Sequence, residues 1–173
     1  ADTEYPHSGW TERSMEMLWQ STASAIRDAL AKSGTKPEDI AGIGNTGHGN
    51  GVYLLDKQGQ PLRNGIQSMD SRAAEIVAHW NRDNLHAKVF PYTIQSFWPA
   101  QPNALLAWLK QNEPKNYERL GSILLVKDYI KYRLTGEITS DFTDMSATSL
   151  LDVRNKSYSR ELMGMYGLAE AYD

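Results

Sequence analysis

The chain contains no cysteine among its 173 residues. Disulfide frameworks, thiolate nucleophiles and cysteine-ligated zinc sites are therefore excluded, and the absence fits a reducing cytoplasm. Long apolar runs are missing too. The longest, Ile123-Leu124-Leu125-Val126, falls far short of the ~20 residues that a membrane-spanning helix requires. Charge of one sign is scarce: 18 Lys+Arg against 21 Asp+Glu leave a formal charge of −3. Without a basic stripe, neither nucleic acid nor an anionic membrane surface is an expected partner. The four histidines, His7, His48, His79 and His86, are scattered and show no His-Glu-x-x-His spacing, so no metal site is expected. The chain starts Ala1-Asp2-Thr3-Glu4, with no Met and no basic-then-apolar leader, which suggests a processed start or a fragment.

What is present is helical and strand periodicity in alternation. From Glu12 to Ser33, Met15, Leu18, Trp19, Thr22, Ile26, Ala29 and Leu30 recur at helical spacing, with Ser14 as N-cap and Gly34 as a left-handed stop. After Pro37-Glu38-Asp39, Ile40 to Gly44 reads as a strand, the glycine-rich stretch to Gly51 as a loop, and Val52 to Leu55 as a second strand. Asp70 is expected to cap a helix reaching about Asn84, with Ala73, Ile76, Val77 and Trp80 inward. Pro102 opens another, burying Leu105, Leu106, Trp108 and Leu109 and stopped by Glu113-Pro114. Gly121 to Val126 reads as a buried strand, and Asp128 as the cap of a helix through Leu134 that ends at Gly136. This order defines a mixed α/β class. Three strands are too few for a self-sufficient sheet, since typical sheets have roughly five or six. Neighbours for the Ile40 to Gly44 strand are expected outside this chain, leaving it an unpaired edge.

Gly42-Ile43-Gly44-Asn45-Thr46-Gly47 has the letters of a dinucleotide-binding loop, but that motif needs a helix directly after it and an acidic residue about twenty positions on. Neither is present. Gly47, Gly49 and Gly51 instead leave room for a ligand to approach backbone, with His48 projecting a donor-acceptor ring; a plain glycine-rich turn with an exposed histidine is the alternative. Asp70-Ser71-Arg72 is either a capping turn or a carboxylate-guanidinium pair for ligand hydroxyls. Phe97-Trp98-Pro99-Ala100-Gln101-Pro102 fits an aromatic lid over a sugar and equally a packed helix entrance. Asn155-Lys156-Ser157 has the glycosylation spacing, with no secretory signal to support it.

Several segments taken in order resemble the N-terminal domain of the FGGY family of carbohydrate kinases. Gly9-Trp10-Thr11-Glu12 is similar to the family's early Gly-Trp-x-Glu. Gly47-His48-Gly49 resembles the Met-His-Gly of the xylulose-kinase branch, and Asp70-Ser71-Arg72 its Asp-x-Arg. Pro102 to Trp108 is close to the signature Pro-x-x-Lys-Leu-x-Trp, with Leu105 at the lysine position and Ala100 at an aromatic or small one. Lys127-Asp128-Tyr129, Leu134-Thr135-Gly136 and Ser140-Asp141-Phe142-Thr143 follow at similar spacings. Glycerol kinases have Gln-Arg-Glu where this chain has His48-Gly49-Asn50, and an aromatic at Ser68. Glycerol is thereby disfavoured against a pentulose such as L-xylulose, or a related ketose or polyol.

The resemblance implies a two-domain cytoplasmic kinase with an actin-like, ribonuclease-H-like fold in each half, moving the γ-phosphoryl of MgATP to a sugar hydroxyl. Residues 1–173 would be a partial N-terminal, sugar-binding domain lacking its first β-hairpin. The resemblance places no catalytic residue in this chain and most of the MgATP site outside it. Gly47, His48, Gly49, Asp70, Arg72, Trp98 and Gln101 would form one wall of the sugar site. Homodimer formation and a non-catalytic sugar-binding or regulatory module of the same fold are further expectations.

Overall fold

A computed structural model describes residues 2–172. Strand β1 (Glu12–Arg13) leads through Ser14 into helix α1 (Met15–Ser33). The Ser14 hydroxyl accepts from the Met17 amide at 3.2 Å, and Gly34, at φ 67°, donates its amide to the Leu30 carbonyl. Both caps stand where the sequence puts them. The apolar stripe is less covered than its periodicity predicts: Met15 is buried, Leu18 and Trp19 lean on the cluster around Tyr53 and Tyr129, and Ile26 and Leu30 stay half-buried.

Beyond the 3-10 turn Pro37–Asp39 the strand expected at Ile40 to Gly44 does not form. Ile40 is extended, at φ −82° and ψ 108°, yet it and Ile43 remain 42% and 62% exposed. A strand exists through its ladder, and among the described residues none runs beside this segment. Strand β2 (Tyr53–Asp56) forms as expected and is wholly buried. Strand β3 (Gly65–Ile66), which sequence reading missed, pairs antiparallel with β1.

Helix α2 (Ala74–Arg82) starts later than expected, with Ala73 as an uncapped N-cap, so Asp70 does not cap it. Asn84, at φ 57°, separates α2 from α3 (Leu85–Thr93). Helix α4 (Pro102–Asn112) is buried on every side from Pro102 to Leu109, as a helix apolar all round must be. Leu105, Leu106 and Leu109 have no exposure, each contributing about 1.5–3 kcal/mol through burial.

After α5 (Pro114–Glu118), strand β4 (Leu120–Leu124) pairs antiparallel with β2, Tyr53 facing Leu124 and Asp56 facing Leu120 across a register shift. Val126, expected in the strand, instead opens helix α6 (Val126–Thr135). Asp128 caps from inside its first turn, where Oδ2 accepts from the Leu125 amide at 3.4 Å. Helix α7 (Phe142–Ser146), the β5 (Leu151–Asp152) and β6 (Ser157–Tyr158) hairpin and helix α8 (Arg160–Met165) complete the chain. The main core gathers α2, α4 and α8 around Trp80, Leu106 and Leu162, and a smaller one surrounds Tyr53 and Tyr129. Mixed helix and antiparallel ladders make the chain α/β, as expected.

Candidate functional site

Residues 45–51 cross between two walls. On one side the Asn45 side-chain amide donates to the Lys127 carbonyl at 2.6 Å. A Cβ at Gly47 would stand 2.4 Å from Val126 Cγ1, so only glycine lets the loop lie this close to α6. On the other side the Gly51 amide donates to the Ala100 carbonyl at 2.8 Å. Asn50 and Gly51 turn the chain at φ 61° and 71°, and a Cβ at Gly51 would meet the Ile66 carbonyl at 2.4 Å.

This turn leaves polar atoms without protein partners. His48 Nε2, Asn50 Oδ1 and the Tyr53 hydroxyl are all buried and unpaired. Native structures rarely tolerate such atoms without a role, because each forgoes about 1–3 kcal/mol of hydrogen bonding. His48 Nδ1 lies 3.3 Å from the Gly49 carbonyl. A carbonyl can only accept, so Nδ1 carries a proton, and in the neutral ring Nε2 then presents a lone pair. Two acceptors two residues apart suit a ligand rich in hydroxyl donors. Burial raises the Tyr53 phenol to about 12, so it stays a neutral donor.

Trp98 and Gln101 stand on the turn joined to this loop through Ala100. Trp98 is 54% exposed, its indole N–H donating to the Ser68 carbonyl at 3.4 Å. Gln101 is buried and acts as a strut: its Oε1 accepts from the Trp98 amide and its Nε2 donates to the Ala147 carbonyl. Trp98 is therefore held at its indole N–H by the Ser68 carbonyl and at its backbone amide by the Gln101 side chain.

Asp70 and Arg72 sit on the segment whose backbone passes Gly51, but their side chains are closed in elsewhere. Arg72 donates from Nε and Nη2 to Asp70 at 2.9 Å and from Nη2 to Glu12 at 2.8 Å. Its guanidinium stacks 4.1 Å from the Trp10 ring centre and 5.0 Å from that of Trp108. Asp70 Oδ2 also accepts from the Thr11 amide at 2.7 Å. Neither side chain has any exposure, and Arg72 Nη1 is left without a partner. The Gly9-Trp10-Thr11-Glu12 and Asp70-Ser71-Arg72 segments thus meet in one ionic knot, which Arg63 extends from Glu12 to Glu113.

Sequence reading missed Asn50 within the loop and Asp141 and Asp144 beside it. Lys127 Nζ reaches Asp128 at 2.7 Å, Asp141 at 2.8 Å and Asp144 at 3.2 Å. Burial alone would lower the ammonium, but hydrogen bonds to the three aspartates hold it above its ordinary 10.5. Asp141 is held below 3.8, chiefly by Lys127. The Lys127-Asp128 and Ser140-Asp141 pairs were the available signal.

A cleft of about 1100 Å³ lies between β4 and the β6–α8 segments, lined by Asp56, Ile123, Tyr158 and Tyr172. It includes none of the expected site residues and none of the unpaired polar atoms, so it is not the better candidate. For MgATP, the glycine-rich loop leads into β2 rather than a helix N-terminus, and no three metal-ligating side chains gather among the described residues.

Residues 1–172 match the N-terminal domain of the FGGY family of carbohydrate kinases. The probable L-xylulose kinase of Pasteurella multocida is 38% identical over 161 residues, 93% of this chain and 33% of its own length. The L-xylulose/3-keto-L-gulonate kinase of Escherichia coli is 39% identical over 165 residues, 95% of this chain and 33% of its own. Among solved structures, a Brucella ovis kinase described as a xyloylose kinase is 32% identical with a TM-score of 0.89, covering 98% of this chain and 34% of that one. The chain spans about a third of the length of these relatives. Its α/β fold is the actin-like fold of these sugar kinases, and it belongs to the FGGY family of carbohydrate kinases, matching that family's N-terminal domain.

Proposed function

We propose that the full-length protein is a cytoplasmic kinase that phosphorylates a hydroxyl of a ketose of the L-xylulose class, and that this chain forms one wall of its sugar site. The observation that carries the reading is the loop of Gly47, His48 and Gly49, where His48 Nε2 and Asn50 Oδ1 are buried acceptors without protein partners. A neutral, hydroxyl-rich ligand supplies the donors they lack. Trp98 offers its face to the C–H side of the sugar, its indole N–H held by the Ser68 carbonyl and its backbone amide by Gln101. Asp70 and Arg72 act behind the site, fixing the segment against which Gly51 turns. When bound, MgATP supplies the transferred phosphoryl group and the metal charge that stabilises it. The residues here orient the acceptor hydroxyl and exclude water around it.

In the full-length protein, His48→Ala is expected to lower kcat/KM for L-xylulose by about ten- to a hundredfold, or about 1.4–2.8 kcal/mol of transition-state binding, with the melting temperature unchanged. Unaltered kinetics on the best ketose would remove His48 from the site. A protein whose tryptophan fluorescence responds to ketoses, yet which consumes no ATP with any of them, would be the non-catalytic sugar-binding module.

A further inference from the structure

Gly49 faces an opening with one near neighbour. A Cβ built there would meet a single heavy atom within 4 Å, Asp144 Oδ1 at 3.5 Å. Any side chain at this position would cover that oxygen, and glycine leaves it bare.

Asp144 is not a loose surface carboxylate. Asp141 caps α7 by accepting the Asp144 amide at 2.9 Å, and Lys127 Nζ holds Asp144 Oδ2 at 3.2 Å. The Asp144 side chain is 18% exposed and that of Lys127 14%. Oδ2 is thus committed to the ammonium, while no hydrogen bond from a described residue reaches Oδ1. The same lysine takes Asn45 on its carbonyl, tying the carboxylate and the loop to one residue. Lys127 meets three aspartates and Lys131 reaches one of them, Asp128, at 3.8 Å, so the three carboxylates exceed the two ammonium groups by one charge. The cluster attracts hydroxyl donors and repels anions.

We infer that Asp144 is a specificity-determining residue of the sugar site, its Oδ1 accepting a hydrogen bond from a sugar hydroxyl across Gly49, with Lys127 as its positioning residue. This rests on the ketose-kinase reading above. His48 Nε2 and Asn50 Oδ1, both buried and unpartnered, stand on the same loop, so the partly exposed Asp144 Oδ1 adds a third acceptor beside them. A site built on buried acceptors discriminates strongly against an analogue that lacks the matching hydroxyl.

The test uses the full-length protein with L-xylulose and its monodeoxy analogues, omitting the phosphorylated position. Asp144→Asn should lower kcat/KM for L-xylulose about tenfold or more, mainly through KM, and should change it less than about twofold for the one analogue lacking the partner hydroxyl. Gly49→Ala, which sets a methyl group against Oδ1 at ordinary contact distance and leaves the Lys127 pairs intact, should produce the same pattern. A purely structural role predicts equal losses on every analogue with a lowered melting temperature, and that result overturns the inference. Wild-type turnover of L-xylulose that Asp144→Asn matches overturns the role of Asp144 alone. A wild-type protein that consumes no ATP with any ketose overturns the ketose-kinase reading and this inference with it.

Discussion

Replacing Arg72 with methionine separates two roles that the Asp70-Ser71-Arg72 segment could play. The Arg72 side chain has no exposure and makes three charge-assisted bonds, two to Asp70 and one to Glu12. Methionine preserves most of the contact with Trp10 and Trp108 but strips Asp70, itself unexposed, of its counter-charge. Asp70 keeps only amide donors, from Thr11 at 2.7 Å and from residue 72 at 2.9 Å. Glu12 keeps Arg63. Removing one member of such a buried pair costs about 3–5 kcal/mol, which for a domain of this size is roughly 6–20 °C in melting temperature. Thermal unfolding followed by circular dichroism measures it. The double variant Asp70→Leu/Arg72→Met should lose less than the sum of the two single variants, because no orphaned charge remains. A melting temperature within about 2 °C of wild type, a shift worth less than ~1 kcal/mol, would refute this. If ketose KM also rose, Arg72 would be a ligand contact reached through Nη1, which the knot leaves unpaired.

The remaining predictions concern backbone approach and pH. A Cβ at Gly121 would fall 2.5 Å from the backbone of Asp56 and Lys57, so Gly121→Ala should force the β2–β4 ladder to shift and lower the urea midpoint by the equivalent of about 1–3 kcal/mol. Gly47→Ala pushes the loop off Val126 and should lower kcat/KM about tenfold or more without touching the sugar, since a small misplacement of binding groups is expensive. Asp152 is held below its ordinary 3.8, first by the Asn155 amide, and Asp56 likewise, first by the Gln60 amide. A depressed carboxylate stabilises above its unfolded value and loses that contribution as pH falls through the folded one. Stability should therefore be flat between about pH 5 and 9 and decline below 3.8, with Asp152→Asn flattening the decline in acid titrations followed by circular dichroism. In a sample of these 173 residues alone, the amides of Ala41 to Gly44 should exchange without protection, which hydrogen-exchange mass spectrometry reads directly.

Helix α1 was legible to the residue at both ends because its caps are local: Ser14 and Gly34 act within one turn. Helix α4 was legible from Pro102 at its start, Glu113-Pro114 at its end and the face of Leu105, Leu106, Trp108 and Leu109, although the structure buries it on every side to Leu109. The strand at Ile40 to Gly44 was misread because an apolar run states only that burial is wanted, while a strand needs a partner that no local pattern provides. Asp70 was misread as a helix cap because a capping aspartate and a salt-bridged one look alike until Glu12 and Trp10, some sixty residues away, are brought against Arg72.

By itself the sequence determined what depends on near neighbours and on kind of residue: the caps, the buried helix, the exclusion of thiol chemistry, and a glycine loop carrying one histidine. Tertiary structure decided which polar atoms are left over. Packing of the loop between α6 and the Trp98 turn leaves His48 Nε2 and Asn50 Oδ1 without partners, packing against Trp10, Thr11, Glu12 and Trp108 consumes Asp70 and Arg72, and glycine at position 49 leaves space beside Asp144 Oδ1. A side chain's chemistry is written in its identity, but whether that chemistry is free to meet a ligand depends on what the rest of the chain has already bonded to it.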